Sequence, residues 1–162
     1  MQLQLQKMTA AQFPQFMNSQ INEYAHQKIA NHSWPAASAR QQAAEEFQML
    51  LPDGLNTYHN YFYVLCSADQ DLYGYVWLAE VIDSDRPQQP YLFIYDYSIL
   101  PDYQNQGYGQ KGLELVFQVA QKLGYQSLGL HVFGQNYRAQ HVYQKLGFVP
   151  TDIVMKKDLN SD

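Results

Sequence analysis

One cysteine, few cations and no long apolar run mark this sequence, and each scarcity closes off a class of protein. Cys66 has no partner for an internal disulfide and lies in an apolar, strand-like run, which suits a buried thiol in a reducing compartment. No basic or His neighbour in sequence activates it. Ten Lys and Arg stand against fifteen Asp and Glu, giving a net charge of -5. The cations form no cluster, which argues against nucleic acid, because affinity for phosphate backbones comes largely from clustered Lys and Arg. No stretch approaches the ~20 apolar residues of a spanning helix. The opening MQLQLQKMTA lacks the apolar core and cleavage site of a secretory signal, so the expected location is cytoplasmic. His26, His32, His59, His131 and His141 form no recognisable ligand pair with a nearby cysteine or carboxylate, and no metal is expected. A serine hydrolase is disfavoured too, since no GxSxG elbow occurs.

What the chain does have is length for one domain. Its 162 residues are expected to fold as a single unit over 1–162, with a core that needs neither disulfide nor structural metal. The 14 tyrosines fit strands with one wet face, or a tyrosine-lined pocket.

In chain order, Leu3 to Lys7 alternates apolar and polar residues and reads as a short strand. Thr9 and Gln12 resemble a capping box opening a helix that runs to about Ala30, with Pro14 either in its first turn or breaking it. A second helix is expected from near Ser33 and Pro35 to Leu50, stopping before Pro52-Asp53-Gly54. Tyr58–Cys66 and Leu72–Val81, separated by SADQD, read as a hairpin. A polar loop, Ser84 to Pro90, leads to a central strand at Tyr91.

From Tyr91 the chain reads strand, loop, helix: YLFIYDYSIL, then PDYQNQGYGQ, then a helix with Leu113, Val116, Phe117, Ala120 and Leu123 at helical spacing. Gly107 and Gly109 stand where the helix begins. Its first N–H groups lack intrahelical acceptors and no side chain shields them, a setting that attracts phosphate. Gly107, Gly109 and Gly112 spell GxGxxG, but the dinucleotide fingerprint requires a tight turn directly after the strand and an acidic residue about 20 positions on. Neither is present, which counts against an NADH-dependent oxidoreductase. Beyond the helix, Ser127–Phe133 and Phe148–Lys156 read as strands. Lys122-Leu123-Gly124-Tyr125 and Lys145-Leu146-Gly147-Phe148 read as helix ends with glycine in the left-handed position and an aromatic packing back.

Gln104-x-x-Gly107-x-Gly109, preceded by Ile99-Leu100-Pro101, resembles the Gln/Arg-x-x-Gly-x-Gly/Ala signature of the GNAT superfamily of N-acetyltransferases. Asn136, Ala139, Tyr143, Lys145, Gly147 and Phe148 are similar to the family's second pattern, at the expected distance from the first. Gln104 replaces the commoner Arg, a variant the pattern allows. The resemblance spans roughly Tyr91 to Lys157. It implies an α/β (α+β) fold with a mixed, mostly antiparallel sheet of about six to seven strands and about four helices. It also implies acetyl-coenzyme A as acetyl donor, entering where the central strand and the strand at Ser127 splay apart.

By that resemblance the cofactor is held by Ile99, Leu100, Gln104, Asn105, Gln106, Gly107, Tyr108, Gly109, Gln110, Asn136, Ala139 and Tyr143. Lys111 could reach phosphate or stand as a solvated helix charge. Tyr143 would be the general acid at the coenzyme A sulfur, since a phenol is neutral at physiological pH and donates one hydrogen bond. Asn136 would bond the pantetheine arm or phosphate, cap its helix, or do both. An oxyanion donor would be a backbone N–H near Ile99 or Leu100. For the base, Asp96 is preferred, with Glu80 and His131 as alternatives. Strand parity sets Asp96 with Ser98 and opposite Tyr95 and Tyr97. The expected partners are a coenzyme A thioester and an amine, with a homodimer allowed and neither nucleic acid nor membrane. A non-catalytic acyl-coenzyme A binding module is the rival reading.

Overall fold

The computed structural model describes residues 2–160, so residues 1, 161 and 162 of the expected 1–162 domain lie outside it. Its elements are β1 (Gln4–Lys7), α1 (Phe13–Ala30), α2 (Ala36–Leu50), β2 (Asn60–Cys66), β3 (Leu72–Val81), β4 (Tyr91–Ile99), α3 (Tyr108–Lys122), β5 (Leu128–Leu130) and α4 (Tyr137–Lys145). By backbone contacts the chain divides into one compact unit up to Leu130 and a smaller one from His131 onward. None of the described helices is long and apolar enough to cross a membrane.

Local chemistry accounts for the first helices. The Thr9 N–H donates to Gln12 Oε1 at 2.9 Å while the Gln12 N–H donates to Thr9 Oγ1 at 3.3 Å, the reciprocal pair of a capping box. Pro14 falls in the first turn of α1, where no backbone N–H is needed, and Pro35 caps α2. Phe16 of α1 is fully buried with Phe62, Val64, Tyr75 and Trp77, and Phe47 of α2 packs against them. α1 and α2 therefore cover one face of the sheet. On the other face, Gly112 of α3 lies against Leu65 and Tyr97. With a helix layer on each side, β2 and β3 are apolar on both faces, and Val64, Leu65, Val76 and Leu78 are all buried.

The first unit holds a five-stranded sheet in the order β1-β2-β3-β4-β5. Its pairs are antiparallel except β4 with β5, which is parallel. The class is the mixed one expected, with fewer strands. The strand anticipated over Phe148–Lys156 does not form: no residue from 149 to 157 is paired, and Val149, Ile153, Val154 and Met155 are exposed. An extended segment becomes a strand only when a neighbour accepts its N–H groups, and Pro150 has none to offer. The strand read at Ser127–Phe133 shrinks to Leu128–Leu130. It pairs only with Leu92, Phe93 and Ile94, because β4 is bulged immediately afterwards.

Both glycine-terminated helix ends form as expected. Gly124 and Gly147 have φ of 90° and 94°. Tyr125 N–H returns to Ala120 O at 3.1 Å and Phe148 N–H to Tyr143 O at 3.0 Å.

Candidate active site

The loop between β4 and α3 is built to expose backbone donors. After a 3-10 turn at Pro101–Tyr103, Gln104 is extended, Asn105 and Gly107 adopt φ of 61° and 82°, and α3 starts at Tyr108. Gly107 is the N-cap and no side chain caps the helix. The first intrahelical bond here runs from Lys111 N–H to Gly107 O at 3.3 Å, so the N–H groups of Tyr108, Gly109 and Gln110 precede any i–4 acceptor within the helix. A Cβ placed on Gly107 or Gly109 would meet nothing within 4 Å, which leaves the approach to these donors open. Two glutamines brace the loop from outside, Gln104 Nε2 donating to Ile99 O at 2.9 Å and Gln106 Nε2 to Asp102 O at 2.8 Å. The Tyr97 hydroxyl braces it from inside, donating to Gly109 O at 2.6 Å. Gln110 and Lys111 are exposed on the first turn of α3.

A bulge in β4 shapes the other part of the site. Trp77 pairs with Asp96 but Leu78 pairs with Ile94, so Tyr95 is an extra residue on β4. The hydrogen bonds show the same insertion. Leu92 N–H donates toward β5, to Ser127 O, while Leu100 N–H donates toward β3, to Tyr73 O at 2.8 Å. Two residues an even number apart point the same way in a regular strand; here they point opposite ways. One expectation changes with this. Leu100 N–H is engaged with Tyr73 and is no oxyanion donor, whereas alternation turns the Ile99 backbone to the side away from β3, where Gln104 meets its carbonyl.

Side-chain parity changes too. Asp96 and Ser98 share a face, joined by a Ser98 Oγ to Asp96 Oδ2 bond of 3.1 Å, and Tyr97 points to the opposite face, as expected. Tyr95 does not oppose Asp96: across the bulge both enter one cavity of about 740 Å³ between α1, α2, β3 and β4. Gln20, Glu23, Tyr24 and Gln27 of α1 line it, with Glu46 and Phe47 of α2 and Trp77 of β3. Burial holds the Asp96 carboxyl above the usual carboxylate range; bonds from Ser98 and Gln20 pull it back, and Glu23 pushes it further up. A raised carboxylate is a stronger proton acceptor than an ordinary one.

The alternative bases stand elsewhere. Glu80 accepts from the Tyr125 hydroxyl at 2.8 Å and meets His59 Nδ1 at 2.6 Å, and it does not line the cavity. His131 belongs to the second unit, where its ring meets Phe133 edge-on. In that unit Asn136 is the N-cap of α4, accepting the Ala139 N–H on Oδ1 at 3.1 Å, so the capping role anticipated for it is filled. Asn136, Ala139 and Tyr143 lie on one stripe of α4 at i, i+3 and i+7. Tyr143 is half-buried with its ring against Phe148 at 5.7 Å, and burial raises its phenol above the ordinary value.

The motif reading missed the α1 and α2 residues of the cavity. A faint signal was present: Gln20, Glu23 and Gln27, polar at i, i+3 and i+7, form one helical stripe, half-buried at Gln20 and exposed at Glu23 and Gln27. Trp77 and Tyr95 gave none, because a register shift brings them together.

Comparisons with known proteins identify the family. The Acetyltransferase (GNAT) family, whose cosubstrate is acetyl-coenzyme A, matches residues 24–148. The Bacillus subtilis (strain 168) protein named Uncharacterized N-acetyltransferase YycN is 32% identical over 98% of this chain and 100% of its own length. The crystal structure of YycN superposes with a TM-score of 0.83 at 31% identity, covering 99% of this chain and 100% of that one. AAC(6')-Iy, in complex with a bisubstrate analog, CoA-S-monomethyl-acetylneamine, shares the fold with a TM-score of 0.62 at 16% identity, over 99% of this chain and 100% of its own. An end-to-end relative and a family match over most of the length establish that this chain belongs to the GNAT family of acetyltransferases and is an N-acetyltransferase.

Proposed function

We propose that the loop from Gln104 to Lys111 holds acetyl-coenzyme A and that the cavity at Asp96 receives a primary amine, to which the acetyl group passes directly. The observation that carries this is the open space over Gly107 and Gly109 at an uncapped helix start. Side chains that would fill it are absent, and the N–H groups there suit a pyrophosphate. Bound there, acetyl-coenzyme A supplies the thioester carbonyl.

The chain's own residues do the rest. Asp96, raised by burial, takes the proton that an ammonium must lose before nitrogen can attack. The Ile99 N–H, turned away from β3 by the bulge, is the donor we assign to the developing oxyanion. Tyr143, assigned through the family pattern, donates its proton to the departing sulfur; burial keeps its phenol protonated across the assay range. Tyr108, Asn105, Gln106 and Gln110 present loop backbone to phosphate, and Asn136 and Ala139 are assigned to the pantetheine arm. The acidic chain and the buried Cys66 support a cytoplasmic setting.

The test is initial-rate thiol release from acetyl-coenzyme A across a panel of primary amines, with intact mass recorded in the absence of amine. Direct transfer predicts intersecting double-reciprocal plots and no acetylated protein. Parallel plots with an acetyl-enzyme would contradict it.

A further inference from the structure

We infer that the acceptor is an amine carrying at least two protonated nitrogens separated by a carbon chain, a di- or polyamine, and that Glu23 and Glu46 select the second one. This rests on the cavity being the acceptor site.

The cavity is of the size that takes a drug-sized ligand, about 740 Å³, far more than a simple alkylamine fills. Its lining carries three carboxylates, Glu23, Glu46 and Asp96, and no Lys, Arg or His. Removing a proton from the reacting amine occupies one of them. The other two stand on the facing helices α1 and α2, and the bonds recorded for them come from neutral groups: Gln27 Nε2 to Glu23 at 3.1 Å and the Tyr24 hydroxyl to Glu46 at 2.8 Å. Both carboxylates are solvent-exposed and neither forms an ion pair among the described residues, so an incoming ammonium can reach them. Lys28 lies over the rings of Tyr24 and Trp34, at 5.2 and 5.3 Å, and acts on the Tyr24 side chain that bonds Glu46, but it does not line the cavity.

Glu23 also acts on Asp96, raising its carboxyl, so two like charges face the same space. A ligand with one ammonium at each relieves that repulsion; a monoamine relieves only part of it. Between the carboxylates the wall is aromatic. Trp77 and Tyr95 stack at 5.0 Å, with Phe47 at 5.9 Å from Trp77. Ring faces accept both methylene chains and ammonium groups. The same lining disfavours acceptors that bring their own carboxylate or phosphate, because no cation is there to receive it.

The experiment compares kcat/KM for 1,ω-diaminoalkanes of three to eight carbons and for spermidine with that of the monoamine of equal carbon number, in the wild type and in a Glu23→Gln, Glu46→Gln double variant whose melting midpoint is checked. The best diamine should exceed its monoamine by at least about tenfold, and the double variant should bring that ratio toward one. A wild-type ratio near one for every length, or one the double variant leaves intact, overturns the inference while direct acetyl transfer to amines still stands. Acetyl-coenzyme A binding with no amine acetylated would overturn both.

Discussion

The Tyr97 hydroxyl donates to the Gly109 carbonyl at 2.6 Å, tying the central strand to the first turn of a helix whose opening N–H groups no side chain caps. The same hydroxyl occupies the space a Cβ on Gly112 would need. One contact thus explains the third glycine of the GxGxxG letters as packing rather than dinucleotide binding.

Tyr97→Phe should keep the fold and weaken acetyl-coenzyme A by roughly 3- to 10-fold, the worth of one hydrogen bond, with kcat little changed. Gly112→Ala should destabilise the wild type but cost distinctly less in Tyr97→Phe, where the obstructing oxygen is gone. A double-mutant cycle by denaturant titration reads the coupling, and additive effects would contradict it.

Gly74 of β3 faces the end of β4 so closely that a Cβ there would collide with the Ser98 carbonyl oxygen. The obstacle is backbone, which cannot swing aside. Gly74→Ala should therefore cost about 3 kcal/mol, or roughly 6–12 °C in Tm, and should disturb the strand end that carries Asp96 and Ile99.

Asp96 is held above the usual carboxylate range chiefly by burial. Its charged form is disfavoured in the folded state, so this group's contribution to stability is present below the ordinary carboxylate pKa and is lost as pH rises through the raised folded value. Asp96→Asn removes that loss and should melt no lower than wild type at neutral pH. It should also cut kcat/KM by about 100-fold or more near neutrality, with the deficit narrowing at alkaline pH as free amine becomes abundant. A pH–rate profile with parallel melting curves separates the two effects. A variant that fails to fold would assign Asp96 to structure instead.

Tyr143→Phe should lower turnover by roughly 10- to 10,000-fold while leaving acetyl-coenzyme A affinity nearly intact. Unchanged turnover would remove the general-acid role. Because burial raises the phenol, no alkaline decline below about pH 10 should trace to this residue.

The parts of the fold that were legible are those whose cause is local. The Thr9/Gln12 capping box, the left-handed Gly124 and Gly147, and the glycine-opened start of α3 each depend on residues within five positions of one another. What was illegible depends on pairing. The bulge that admits Tyr95 beside Asp96 exists because β3 and β4 slip by one residue, and a strand's own letters do not record its partner's register. The same reason accounts for the absent strand at Phe148–Lys156: Ile153, Val154 and Met155 read as strand in sequence, but no strand pairs with residues 149–157. The loop donors were found by motif, whereas the α1 and α2 lining of the cavity belongs to the segment without one.

The most direct test is the melting midpoint of wild type and Gly109→Leu, each alone and with acetyl-coenzyme A, free coenzyme A or NADH at about 100 times the wild-type Kd. The signature this loop resembles admits alanine at this position, so a larger side chain is needed to cover the donors. Nothing within the protein obstructs a Cβ at Gly109, and leucine favours helix, so the variant should melt like wild type when alone. In the wild type both coenzyme A forms should raise the midpoint by on the order of 5 °C or more and NADH should not; in Gly109→Leu most of that rise should vanish. An undiminished rise in Gly109→Leu, or stabilisation by NADH alone, would contradict a cofactor site at this helix start.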